Sequence, residues 1–269
     1  MNQMNTHNST RTDGACPVST TPLRTLRGLR GAGGLLGLLI CLLLACMPKT
    51  ALAADAATLA NAINTYGGGA ISALASGNTV TVTGTRTNVT VRLPLNIDGG
   101  VLVIWQGSLT GSTATSLIAV EGTGTFTVAS GGKIEQTGQG MAIDVTSAAT
   151  VNISGTVSAT NTQGVAIRNN SSGTVTISSG TVSSAEDIAI RNASTGTVTV
   201  SGGTVTATTG AAIYNNSQGV INVSGGTVQN TGNGHAIINK SIGSISVLSG
   251  MNKIDLFFTE KLYFCTQNI

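Results

Sequence analysis

One pattern recurs along residues 132–250 and constrains the fold more than any other feature of the chain. Each unit contains Gly-Thr-Val or a close variant, a polar link, Ala-Ile, a second link, and a strand-like segment that ends near a Ser-Gly turn. The Ala-Ile pairs are separated by 24, 23, 23 and 24 residues, and they fall at Ala142/Ile143, Ala166/Ile167, Ala189/Ile190, Ala212/Ile213 and Ala236/Ile237. A fixed period with links of variable length is typical of a stacked repeat array.

Two further sets of apolar residues keep the same period. In each, Val or Ile alternates with Thr, Ser or Asn, which is the two-residue period of a β-strand. The sets are Val151/Ile153, Val175/Ile177, Val198/Val200, Ile221/Val223 and Ile245/Val247, and Ile134, Val157, Val182, Val205 and Val228. A coil of this size buries its apolar face only by stacking on others, at about 4.8 Å spacing. The sequence therefore predicts an all-β, single-stranded, right-handed parallel β-helix of about seven coils, with these residues inside.

An asparagine column is predicted beside the isoleucines. Asn stands two residues after each of the last four Ile residues of the Ala-Ile pairs, at Asn169, Asn192, Asn215 and Asn239. The two-residue spacing keeps the inward direction, so the amides are expected to hydrogen-bond from coil to coil. Val145 takes this position in the first regular coil, so the ladder is expected to be partial.

A short helix is predicted over 56–66, where Leu59, Ile63 and Tyr66 have helical spacing behind Asp55, a candidate N-cap. We expect this helix to cap the first coil and protect its open edge. Strands are predicted over 79–83, 89–93 and 101–105 in two irregular first coils. Because the last of these segments is apolar on both faces, we expect the capping helix to cover it.

The repeats resemble those of a known group of proteins. Segments such as 196–205, Gly-Thr-Val-Thr-Val-Ser-Gly-Gly-Thr-Val, joined by Ala-Ile-Tyr-Asn at 212–215, are similar to the pectin-lyase-like parallel β-helix of bacterial surface and adhesin-like proteins. The resemblance covers about half of the chain. It implies the fold and an exported setting, but not an activity, because the same scaffold carries many functions.

Residues 1–53 are predicted to be a signal peptide with a long n-region. Basic residues precede an apolar run at 35–47, which is too short to span a membrane, and Ala51-Leu52-Ala53 provides a small-residue cleavage site. An alternative is lipoprotein processing, because Leu43-Leu44-Ala45-Cys46 resembles a lipobox and would place a lipid anchor on Cys46. After the leader we expect a cap and irregular coils at 54–131, regular repeats at 132–250 and a non-repeat tail at 251–269. The tail is interpreted as either a cap or the sign of a truncated protein.

The charge balance of the expected mature chain argues against a nucleic-acid partner. Residues 54–269 contain eight Lys and Arg against nine Asp and Glu, without a clustered basic face. Three of the four cysteines precede residue 54 and the fourth is Cys265, so no internal disulfide is expected in the mature domain.

One outward column is a candidate ligand strip. The residues that follow each Ala-Ile pair are Asp144, Arg168, Arg191, Tyr214 and Ile238. We expect Asp144 to neutralise Arg168, and Arg191 to lie against the Tyr214 ring. Arg168, Arg191 and Tyr214 then form a strip that could contact a glycan or a host or cell-surface protein. The alternative interpretation is a surface ladder with no ligand.

The sequence predicts no catalytic, cofactor or metal site. Glu186 and Asp187 are adjacent acids in a link, and we interpret them as a polar turn. Gly232-Asn233-Gly234-His235 resembles a polygalacturonase motif only faintly, and His235 is interpreted as filling a core or turn position.

The preferred function is therefore that of an exported, non-enzymatic, structural or adhesin-like bacterial surface protein. A polysaccharide-active enzyme of pectin-lyase-like type is one alternative. An ice-binding solenoid is the other, because outward Thr pairs recur at Thr174/Thr176 and Thr197/Thr199.

Overall fold

The computed structural model describes residues 54–247 and the backbone of Leu256–Phe258. They form a parallel β-solenoid of about seven turns with one short helix at its N-terminal end. The helix α1 spans Ala56–Gly67. In chain order the strands are β1 (Ile71–Ser76), β2 (Thr79–Val89), β3 (Leu93–Ile97), β4 (Leu102–Trp105), β5 (Ser108–Gly111), β6 (Ser116–Gly122), β7 (Thr125–Val128), β8 (Lys133–Gln136), β9 (Met141–Val145), β10 (Thr150–Ile153), β11 (Thr156–Ala159), β12 (Val165–Asn169), β13 (Thr174–Ile177), β14 (Thr181–Ser184), β15 (Ile190–Asn192), β16 (Thr197–Ala207), β17 (Ala211–Asn215), β18 (Val220–Asn230), β19 (His235–Asn239), β20 (Ile245–Val247) and β21 (Leu256–Phe258).

The strands stack into three parallel faces. Face A is one sheet, in the order β3, β6, β9, β12, β15, β17, β19 and β21. Face B contains the first part of β2, then β4, β7, β10, β13, the first part of β16, the first part of β18, and β20. Face C contains the second part of β2, then β5, β8, β11, β14, and the second parts of β16 and β18. A full coil thus contributes one strand to each face.

The predicted apolar columns lie inside the solenoid. On face A, Ile143, Ile167, Ile190, Ile213 and Ile237 are in register and fully buried. The Val and Ile sets of faces B and C are likewise in register, and apart from the partly buried Ile245 and Val247 they are buried. Thr, Ser and Asn alternate with them on the outside. Because β-branched side chains pack well on a pleated surface, this alternation fixes which residues face the core.

The predicted asparagine ladder is present. Asn169 Nδ2 donates to Asn192 Oδ1 at 3.2 Å, Asn192 Nδ2 to Asn215 Oδ1 at 3.2 Å, and Asn215 Nδ2 to Asn239 Oδ1 at 2.9 Å. Each amide also donates to a glycine carbonyl four residues later in its own turn, and these glycines are Gly173, Gly196, Gly219 and Gly243. The side chains therefore give the turn carbonyls a hydrogen bond within their own coil, in addition to the backbone bonds that Gly173 and Gly196 accept from the next coil.

The helix α1 caps the first coil, as predicted. Asp55 is its N-cap and accepts a hydrogen bond from the Thr58 backbone N–H at 2.7 Å, while Gly68 ends the helix in the left-handed region at φ 57°. Leu59 and Ile63 are buried, and the helix packs against β1, β2 and β3. The exposed first edge is thereby covered.

The irregular first coils differ from the sequence expectations in three ways. The predicted strand over 89–93 is wrong, because β2 ends at Val89 and the next strand begins at Leu93. The segment 71–76, for which no strand was predicted, forms β1, which pairs antiparallel with β2. The turn between them is Gly77-Asn78, with Gly77 at φ 56°, and such a two-residue Gly-Asn turn is a hairpin signal that the repeat pattern obscured.

The third difference concerns the apolar segment near Trp105. Its inward residues are not covered by α1 but lie inside the solenoid, where Val103 and Trp105 are fully buried. Trp105 stacks in register between Val82 and Val128, and its ring centroid lies 6.2 Å from that of Phe126. The apolar side chains on the other side of this strand, Leu102 and Ile104, are partly exposed on face B.

Candidate functional site: the outward column of face A

The candidate ligand strip lies on the outside of face A. Asp144, Arg168, Arg191, Tyr214 and Ile238 pair in register on five successive strands, β9, β12, β15, β17 and β19. From Arg168 onward each lies between an inward Ile and an inward Asn of the ladder, as Arg168 lies between Ile167 and Asn169. The two inward neighbours fix the backbone, so the outward side chains are held about 4.8 Å apart along the stack.

Asp144 and Arg168 form the predicted ion pair. Arg168 Nε donates to Asp144 Oδ1 at 2.9 Å, and Arg168 Nη2 donates to Asp144 Oδ2 at 2.6 Å. This two-point geometry is the stronger form of Arg–carboxylate contact. The Asp144 residue is only 4% exposed, and its hydrogen bonds raise the pKa of Arg168. The charge of Arg168 is therefore already compensated within the fold.

Within the described residues, Arg191 has no carboxylate partner equivalent to Asp144. Its Cζ lies 5.8 Å from the centroid of the Tyr214 ring, as the sequence predicted. Among the residues that the structure describes, no carboxylate approaches its guanidinium within the 4.0 Å of an ion pair, and its buried Nε has no hydrogen-bond partner. Burial raises the pKa of Asp187, and the positive charge of Arg191 opposes this rise. The guanidinium is thus only weakly compensated.

A second cation reaches Tyr214 from the next coil. Lys240 Nζ lies 5.6 Å from the Tyr214 ring centroid, and the Lys240 backbone N–H donates to the Asn215 carbonyl at 2.8 Å. Sequence reasoning missed this residue, because Lys240 lies in a turn after the ladder asparagine and not in a strand. Its position directly after Asn239 was the available signal, since that asparagine fixes the start of the turn.

Apart from Asp144, the column has a nearby acid, Asp187, whose pKa the charge of Arg191 affects. Glu186 is exposed and Asp187 is half-buried in the link before β15. His235, which the sequence assigns to a core or turn position, is the first residue of β19, pairs with Ala211 and is partly buried. Within the described part of the chain, no three His, Cys, Asp or Glu side chains are grouped so that they could hold a metal ion.

The threonine pairs lie on face B. The structure adds two rungs to those seen in the sequence, because Thr79/Thr81 and Thr125/Thr127 share the outward positions of Thr174/Thr176 and Thr197/Thr199. The array is interrupted by Leu102/Ile104, by Thr150/Asn152 and by Val220/Asn222. Ice binding by this face therefore stays a prediction. The other alternative function, polysaccharide cleavage, also stays a prediction.

A search for membrane-spanning helices and comparisons with known proteins give no further information about the function of this column. No helix in the residues described has the length and apolar content of a membrane span. The predicted signal peptide, the lipobox cysteine Cys46, Cys265 and most of the 251–269 tail lie outside the described residues. Comparison with protein-family models, with curated proteins and with solved structures finds no match.

Proposed function

We propose that this protein is an exported bacterial surface protein of structural, adhesin-like type, which presents one side of a stiff β-solenoid to a glycan or to a protein on a cell surface. One observation carries the proposal. On face A the inward residues repeat from coil to coil, whereas the outward residues change from Asp144 to Arg168, Arg191, Tyr214 and Ile238. A constant interior beneath a variable exterior suits a scaffold that displays a surface.

The stiffness needed for display follows from the pairing. Every regular coil is hydrogen-bonded to its neighbours on all three faces, and the amide ladder adds a fourth line of contacts inside. Each coil contacts mainly the coils beside it, so rigidity is shared along the stack.

Export is supported by the sequence features of residues 1–53 and by the resemblance of the repeats to the pectin-lyase-like β-helix of bacterial surface proteins. The basic n-region, the short apolar run and the Ala51-Leu52-Ala53 site together favour cleavage before Ala54. Low charge, 9% of residues, combined with abundant Thr, Ser and Asn, also suits a surface-exposed solenoid.

The test follows the full-length chain expressed in a bacterial host. We expect the processed protein in the cell envelope or medium, with Ala54 as its first residue by mass spectrometry. Ala53→Phe should block this cleavage, whereas Cys46→Ala should leave it unchanged; a lipidated Cys46 would reverse the two outcomes. The exported protein is then applied to a glycan array and to intact cells. An unprocessed chain retained in the cytoplasm would contradict the proposal.

A further inference from the structure

The outward column of face A carries a local excess of positive charge. Arg168 and Arg191 are direct neighbours on adjacent strands, and Asp144 compensates only Arg168. Lys240 adds a third cation one coil beyond Tyr214, and no carboxylate of the described residues lies within ion-pair distance of it. Like charges on adjacent strands repel, so an anionic group bound at Arg191 would relieve its unfavourable contact with Arg168 in the free protein.

The two cations flank a single aromatic ring. Arg191 belongs to the coil before Tyr214 and Lys240 to the coil after it, at 5.8 and 5.6 Å from the ring centroid. Two coils span about 10 Å along the stack. One small anion could not contact both cations at that separation, whereas an extended polymer with repeated anionic groups could contact both.

We infer that this column binds a sulfated polysaccharide that lies along the stack axis, with sulfate groups held by Arg191 and Lys240 on either side of Tyr214. This inference rests on the proposed adhesive function and specifies its ligand. A sulfate ester offers several acceptor oxygens at the end of a flexible link, so it can meet both the fork-shaped guanidinium and the point-like ammonium group.

The surroundings of the column favour a sugar chain over an acidic protein. Protein interfaces centre on apolar or aromatic anchors that are buried together. In the described residues the large, strongly exposed apolar side chains are Leu74, Val91 and Ile242, and two of these belong to the first coils. In the turns beside the column, Ile242 is exposed two residues after Lys240, and the other exposed side chains include hydrogen-bonding groups suited to hydroxyls, namely Asn170, Ser172, Thr195, Asn216 and Gln218.

The test measures binding of the exported chain to defined oligosaccharides by fluorescence anisotropy. The probes are a heparin dodecasaccharide, the same oligosaccharide after desulfation, a polygalacturonate oligosaccharide of equal length, a dextran oligosaccharide and a poly-glutamate peptide. We expect binding to the sulfated probe that weakens with added NaCl. Arg191→Gln and Lys240→Gln should each weaken it about tenfold, because each removes one charge-assisted contact.

Lys133→Gln is the matched control. It removes the same charge from Lys133, which is paired with Glu135 at 2.9 Å on face C, and it should leave the affinity within about twofold. Circular dichroism confirms that each variant folds. Unchanged binding in Arg191→Gln and Lys240→Gln would overturn the inference, as would equal or tighter binding of polygalacturonate or of a poly-glutamate peptide. Binding of a neutral glycan alone would also overturn it, yet would leave the proposed adhesive function standing.

Discussion

The first coils and the later coils fill the same inward column of face A in different ways. In the first coils the column contains Leu95, Val120 and Val145, which are fully buried and in register. From β12 onward it contains the four asparagines of the ladder. The early positions are stabilised by apolar burial, which is non-directional. The later positions are stabilised by hydrogen bonds, which require a specific geometry.

The difference explains how the later coils hold an ordered outer column. All four ladder asparagines close their own turns through a glycine carbonyl, and the first three also donate to the next coil, so the ends of these face A strands are fixed in both directions. The first coils gain stability instead from the burial of large apolar side chains, above all those of Trp105 and Phe126. Four experiments test this difference between the first and the later coils.

The largest effect is expected at Trp105. Trp105→Ala should lower the free energy of unfolding by about 3–5 kcal/mol, because the side chain is fully buried and leaves a cavity against Phe126. Urea denaturation measures the change. Ile177→Val, which trims a buried residue of a regular coil, is the control and should cost about 0.5–1.5 kcal/mol. Equal effects would mean that the aromatic pair is not a special source of stability.

The next effect is expected in the ladder. Asn192→Ala should cost roughly 2–3 kcal/mol, because it removes the donor to the Gly196 carbonyl and to Asn215, and the acceptor for Asn169. Asn216→Ala, at an exposed turn position, should change stability by less than about 0.5 kcal/mol. Similar values for both variants would show that the ladder contributes no more than surface amides do.

A third experiment extends the ladder toward the first coils. Val145→Asn places an amide next to Asn169, whereas Val120→Asn places one between apolar neighbours. We expect Val120→Asn to be the more destabilising by about 1–2 kcal/mol, because its amide lacks a partner in the adjacent coils. Thermal denaturation of the two variants in parallel provides the comparison, and the reverse order would contradict this role of neighbouring amides.

The smallest effect is expected on the outer surface, at Asp187. Burial raises the pKa of this carboxyl from 3.8, so its contribution to stability is fully present below pH 3.8 and is lost as the pH rises through the folded value. Asp187→Asn should therefore stabilise the fold slightly at pH 7, with an advantage that shrinks below pH 4. Denaturation at both pH values measures it. A variant that is less stable at pH 7 would show that attraction to Arg191 outweighs burial.

The regular coils could be predicted from the sequence because each position can be compared with the equivalent position one repeat away. Ile143 and Ile167 occupy the same position one period apart, so their inward direction and the ladder beside them followed from spacing. The first coils offer no such comparison. The antiparallel strand β1 and the end of β2 at Val89 depend on a turn and a bulge that occur once.

The candidate site shows the same division. The pairs Asp144–Arg168 and Arg191–Tyr214 could be predicted because their members occupy one strand position in adjacent coils. Lys240 was not predicted, because it lies in a turn and not at a strand position, although this turn has the same length after each of the four ladder asparagines. Its approach to Tyr214 depends on the path of that turn, which the hydrogen bond from its backbone N–H to Asn215 fixes.

The amide ladder also affects how such a gene can change length. Asn192 and Asn215 make equivalent contacts 23 residues apart, so unequal recombination that removes or duplicates one such unit joins surfaces that already match. Growth or shortening of the solenoid in whole coils would then preserve the interior while moving the outward residues of face A relative to the ends. The segment around Trp105 has no interchangeable copy, so the same event there would leave a mismatched core.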